Sequence, residues 1–69
     1  MRELTLRDEY ITLGQLLKAE GLVEDGVEAK MEIQSGAVCV NGEVDTRRGR
    51  KLRNGDVVSY NGVDVKVVG

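Results

Sequence analysis

Residues 12–36 read TLGQLLKAEGLVEDGVEAKMEIQSG, and two helix signatures lie end to end within them. Thr12 is a good N-cap, because its hydroxyl can accept from the unpaired backbone N–H groups of a first helical turn. Gln15, three residues on, completes a capping box, and Ile11 before the cap can staple to Leu16. Leu13, Leu16 and Leu17 recur at i, i+3, i+4, the apolar stripe of a surface helix. Gly21 is the natural stop, and Leu22 can fold back onto the stripe. The spacing predicts a first helix over about residues 12–20. Asp25 with Glu28 announces a second in the same way, predicted over 24–35 and ended by Gly36. Val27 and Met31, with Ala29 and Ile33, are expected to face inward. Lys30 and Gln34 share the neighbouring face at i, i+4 spacing. Helices this short are marginal alone, so they must pack on each other and on strands.

Strand patterns flank this segment. Upstream, Leu4 and Leu6 alternate with Glu3, Thr5 and Arg7, the period of a strand with one buried side over residues 2–7. Downstream, Val38 and Val40 alternate with Ala37, Cys39 and Asn41. Asn41-Gly42, Asn54-Gly55 and Asn61-Gly62 are three turn signals. Between and after them lie Glu43-Val44-Asp45, Val57–Tyr60 and Val63–Val68, each readable as a strand, with no proline to veto any of them. The order is α+β: an N-terminal strand, two short packed helices, then a small antiparallel sheet of hairpins. Sixty-nine residues make a single domain, 1–69.

Composition removes several functions. There is no Trp or Phe and only two Tyr, so the core is aliphatic. With no His and one Cys, the usual metal sites are out of reach. A lone thiol fits a reducing compartment. The charged N-terminus is unlike a signal peptide and no apolar run approaches membrane-spanning length, so a cytoplasmic protein is expected. Nine glycines form neither of the phosphate-loop patterns. Neither a Cys–His pair nor a Ser–His triad can be assembled. Adjacent acids such as Glu24-Asp25 fit helix capping better than catalysis. No enzyme and no cofactor is expected, and Cys39 reads as a small buried hydrophobe.

One stretch stands apart. Residues 47–53, RRGRKLR, hold five basic side chains in a chain of net charge −2. Without Arg47, Arg48, Arg50, Lys51 and Arg53, five basic residues remain against twelve acidic ones, a net of −7. Like charges crowded together repel, so such a cluster points to a polyanionic partner. It lies between two turn signals, within a folded hairpin region, and is expected to face solvent. Two tyrosines are too few for a stacking platform, which favours reading shape and phosphates with Arg and Lys. Local potential within about one Debye length (~8–10 Å) governs this, not net charge. An anionic membrane is a weaker partner, because no amphipathic or lipidated anchor accompanies the cluster.

The segment TLGQLLKAEGLVEDGVEAKMEIQSG followed by AVCVNGEVDTRRGRKLRNGDVV resembles the S-four RNA-binding domain, named for a small-subunit ribosomal protein. The features that carry it are the leucine-rich first helix ending in Gly21-Leu22-Val23 and Glu28-Ala29-Lys30 in the second helix. To these are added the Gly36-x-Val38-x-Val40-Asn41-Gly42-Glu43 turn and Asn54-Gly55-Asp56-Val57-Val58. The resemblance covers roughly residues 12–62, with strands 2–7 and 63–68 added outside it. With its N-terminal strand the chain is similar to small stand-alone bacterial proteins made of this domain alone. It departs from the family at the start of helix two, where Asp25 and Gly26 replace the Ser and Arg often found there. That shifts the expected RNA footprint toward the hairpin.

The resemblance implies a non-enzymatic protein docking on structured RNA, ribosomal or transfer RNA, with the ribosome as a candidate partner. The residues expected to carry it are Lys30, Gln34, Arg47, Arg48, Arg50, Lys51 and Arg53. A protein-interaction adaptor, with the Arg cluster meeting an acidic protein, is the alternative from another class; DNA binding is a weaker third.

Overall fold

The computed structural model describes all 69 residues. Nine elements follow in order: β1 (Arg2–Thr5), β2 (Ile11–Thr12), α1 (Leu13–Ala19), α2 (Gly26–Gln34), β3 (Val38–Val40), β4 (Glu43–Val44), β5 (Lys51–Leu52), β6 (Val57–Tyr60) and β7 (Val63–Val68). The α+β reading holds.

The helix ends are built as the sequence predicts, with one exception. Thr12 accepts from the backbone N–H of Gln15, and the Gln15 side chain accepts from the N–H of Thr12, a closed capping box. Both helices finish in a Schellman motif: Gly21 N–H donates to Lys18 and Leu22 N–H to Leu17, while Gly36 N–H donates to Ile33 and Ala37 N–H to Glu32. At α2, Asp25 caps Glu28 N–H at 2.8 Å. The Glu28 carboxylate, however, accepts from Glu24 N–H at 2.7 Å and not from Asp25, so the box is displaced by one residue.

The expected inward face of α2 is corrected. Ala29 and Ile33 are fully buried, whereas Val27 and Met31 are 69% and 64% exposed. The helix offers two apolar pairs at i, i+4 spacing on opposite sides, and the tertiary partners select one. Ala29 is small enough to let α2 approach α1 closely. The carboxylate of Glu32 accepts from the Tyr60 hydroxyl at 2.6 Å and fixes the helix rotation over β6.

The sheet is mixed, not wholly antiparallel. Its order is β1-β7-β6-β3-β4, and β1 runs parallel to β7 with Leu4 opposite Val67. Only two of the three Asn-Gly signals are hairpins. Asn41 (φ 52°) and Gly42 (φ 84°) join β3 to β4, and Asn61 (φ 51°) and Gly62 (φ 81°) join β6 to β7. Both central residues therefore have positive φ, as a two-residue type I′ connection requires. Asn54-Gly55 instead links β5 to β6, which do not pair. β5 pairs with β2 in a separate two-stranded ribbon, Ile11 opposite Leu52 and Thr12 opposite Lys51.

The leucines of α1, together with Ala29, Ile33, Leu52 and the inward valines Val38, Val40, Val58, Val65 and Val67, make one aliphatic core between helices and sheet. Cys39 alternates with Val38 and Val40 and is half-buried, not buried as expected. No helix is long and apolar enough to cross a membrane.

Candidate nucleic-acid interface

The basic stretch occupies the excursion that leaves β4 and returns as β5. It is held against the start of α1 by its own backbone. Leu13 N–H donates to the Arg50 carbonyl at 2.9 Å, and Gly14 N–H donates to the Arg48 carbonyl at 3.0 Å. These are N–H groups that a helix leaves unpaired in its first turn. The helix N-terminus therefore anchors the loop and is not free to hold an anion itself. The contact is close: a Cβ on Gly14 would lie 2.8 Å from Arg48 Cγ.

Beneath the loop lies Asp45, with a side chain only 6% exposed. Its Oδ1 accepts from Arg47 N–H at 2.9 Å, the i, i+2 bond of an Asx turn, and from Arg47 Nε at 3.1 Å. Its Oδ2 accepts from Arg47 Nη2 at 2.8 Å and from Arg50 Nη1 at 2.9 Å. The Arg47 hydrogen bond, with Arg50 and the Arg47 backbone adding to it against the cost of burial, holds the Asp45 carboxyl well below the usual carboxylate range. Sequence reasoning missed Asp45. The cluster is therefore not uniformly solvent-facing: Arg50 is half-buried, and Arg47 and Arg50 share one compensating negative charge.

The other expected residues divide. Arg48, Lys51 and Arg53 are exposed and form no ion pair. Lys51 Nζ and Arg53 Cζ sit 4.9 and 5.6 Å from the centre of the Tyr10 ring, cation–π contacts that orient both heads. The structure thus brings Arg47, Arg48, Arg50, Lys51 and Arg53 onto one end of the molecule. Lys30 and Gln34 are exposed on α2 and make no hydrogen bond or ion pair with the loop. Lys30 lies one turn beyond Gly26, which lines one depression with Arg48.

Two depressions adjoin at Gly49. One, about 450 Å³ and open, is lined wholly by Arg47, Gly49, Arg50 and Lys51. The other, about 200 Å³, runs between the helix starts, with Lys18 and Gln15 of α1, Gly26 and Ala29 of α2, and Arg48 of the loop around it. Lys18 and Gln15 were not anticipated. Their only sequence signal is their place on the exposed side of an N-capped helix. The second wall of the loop is fixed by Asp56. Burial raises its pKa, but Arg53 N–H, the Asn41 amide and the Arg50 and Arg53 charges outweigh that and lower it. No three His, Cys, Asp or Glu side chains converge as a metal site needs. What the arrangement offers chemically is a cationic surface on a preorganised loop, suited to meeting anions.

Comparison with known proteins gives the family. The S4 domain family model matches residues 4–68. The "Probable ribosome maturation protein RlbA" of Bacillus subtilis (strain 168) is 46% identical over 59 residues, covering 86% of this chain and 83% of that protein. YbcJ of Escherichia coli (strain K12) is 44% identical over 59 residues, covering 86% and 84%. The solution structure of E. coli YbcJ, reported as revealing an alfaL motif involved in RNA-binding, superposes with a TM-score of 0.75 at 40% identity, over all of this chain and 89% of that one.

Proposed function

Because the chain belongs to the S4 domain family, we propose that it is a non-enzymatic module that docks on structured RNA, ribosomal or transfer RNA, by the surface at the 45–53 loop. The observation that carries this is the loop itself. Three unpaired cations, Arg48, Lys51 and Arg53, are presented on a backbone pinned to α1 and on a buried carboxylate. Preorganisation lowers the entropy lost when Arg and Lys meet phosphates. The reading is supported by the RNA-binding motif reported for YbcJ and by the ribosome maturation named for RlbA. Lys30 and Gln34 extend the surface along α2.

Salt dependence tests it. Lys30, Arg48, Lys51, Arg53 and the one net charge left among Arg47, Arg50 and Asp45 make five contacts. The slope of log K against log salt should be about −3.5 to −4.5, from roughly −0.7 per phosphate on single strands to −0.9 on duplex. Fluorescence anisotropy on a ribosomal RNA fragment measures it. A slope near zero, or one unmoved by Lys30→Ala and Arg48→Ala together, sinks the reading and favours the protein-adaptor alternative.

A further inference from the structure

A cleft of about 500 Å³, open to solvent, adjoins the basic surface and shares Tyr10 and Gln15 with it. Its size falls within the ~300–1,000 Å³ typical of small-ligand sites. Leu4, Leu6 and Ile11 form its floor, half-buried side chains that pack on the core yet leave apolar surface unfilled. Arg7, Asp8 and Gln15 bring donors and acceptors to it. Tyr10 belongs to both regions. It lines the cleft, and the residue, 38% exposed, carries Lys51 and Arg53 against its ring.

That juxtaposition of an aromatic wall, an apolar floor, polar groups and two adjacent cations matches one ligand chemistry. We propose that the cleft receives a single unpaired nucleobase of the bound RNA, stacked on Tyr10, while Lys51 and Arg53 hold the phosphate next to it. The inference rests on the RNA-binding reading and assigns it a specificity: an RNA with a base free to leave the helix is preferred over one fully paired. Unstacked bases are what protein side chains can reach in RNA, because the A-form major groove is too deep and narrow to read. Flat apolar and aromatic walls accept any base, and the polar groups at Arg7, Asp8 and Gln15 can meet its edge.

Two short RNA duplexes of the same sequence test it, one fully paired and one with a single bulged 2-aminopurine. Stacking on one aromatic ring should make the bulged duplex bind about tenfold tighter and should quench its 2-aminopurine fluorescence. Tyr10→Phe should keep the preference and Tyr10→Ala should lose it. Ala19→Met supplies the check that does not touch Tyr10 or the cations. Ala19 is an exposed α1 residue lining the cleft, so a longer side chain there fills the space, and the preference should vanish while the paired duplex binds as before. Equal affinity of the wild type for both duplexes, without quenching, overturns the base site and leaves the RNA reading standing. Binding of neither duplex at low salt overturns the RNA reading itself. A concentration-dependent dimer lost in Ala19→Met shows a second copy in the cleft and overturns the base site.

Discussion

Replacing Asp45 by Asn removes one charge and leaves the side-chain volume nearly unchanged, so it isolates what the buried carboxylate does. In the native loop four donors converge on the two Asp45 oxygens, three from Arg47 and one from Arg50. Asn keeps one acceptor, enough for the Asx turn, but turns an NH₂ toward the guanidinium groups. Breaking a fully enclosed ion pair costs about 3–5 kcal/mol, and a hydrogen bond to a charged group contributes about 1.5–3 kcal/mol. The Arg47 side chain is 70% exposed and Arg50 29%, so water compensates part of the loss. The expected cost is about 2–3 kcal/mol, toward the lower end of those ranges. A domain of this length has a total stability of roughly 3–10 kcal/mol. At roughly 4–8 °C per kcal/mol, Tm should fall by about 10–20 °C at neutral pH. The acid limb gives a second readout. The Asp45 carboxyl is lowered from its ordinary 3.8 by folding. Its contribution is therefore complete above that value and lost as pH falls below it toward the folded pKa. Wild type should lose stability below about pH 4 more steeply than Asp45→Asn. Thermal melts by circular dichroism across pH 2–7 measure both effects. An Asp45→Asn Tm within about 3 °C of wild type at pH 7, less than 1 kcal/mol by the same conversion, refutes the anchoring role.

Other perturbations have equally definite outcomes. Tyr60 donates to Glu32, and that bond pushes its pKa up to about 12. Its contribution is present below the ordinary value of 10.0 and lost as pH rises toward 12, so Tyr60→Phe should remove this alkaline component from a pH–stability curve. Ile33→Ala should cost about 2–5 kcal/mol in urea unfolding, whereas Met31→Ser, on the opposite side of α2, should stay within about 0.5 kcal/mol; the reverse ranking refutes the helix rotation. Gly14→Ala places a methyl 2.8 Å from Arg48 Cγ, so Arg48 must shift and the loop with it. It should cost about 1–3 kcal/mol, as overpacking does, and weaken RNA binding beyond what Arg48→Ala alone does.

The two caps of the helical segment were legible because they are local: Thr12 with Gln15 and Asp25 with Glu28 sit three residues apart. The rotation of α2 was not, since Val27 with Met31 and Ala29 with Ile33 have the same spacing and only α1 and Tyr60 distinguish them. The cationic residues were plain from their density. The carboxylate that restrains two of them was not, because Asp45 reaches Arg50 through the path of the loop. Tyr10 meets Lys51 and Arg53 only through a ribbon two residues long, too short to leave a pattern.

The parallel pairing of β1 with β7 sets an order of events in the making of the chain. Arg2–Thr5 leave the ribosome well before their partners, residues 65–68, are made. Until then β1 has no partner, β6 lacks its outer neighbour, and the half-buried Leu4 and Leu6 lie open. The two helices and the β3–β4 hairpin rest on near neighbours and can form early, whereas the sheet closes only by a contact spanning nearly the whole chain, of the kind that slows folding. A truncation after Lys66 would then act at the opposite end of the sequence, taking the partners of Leu4 and Thr5 from β1 and opening the Tyr10 cleft that Leu4 lines.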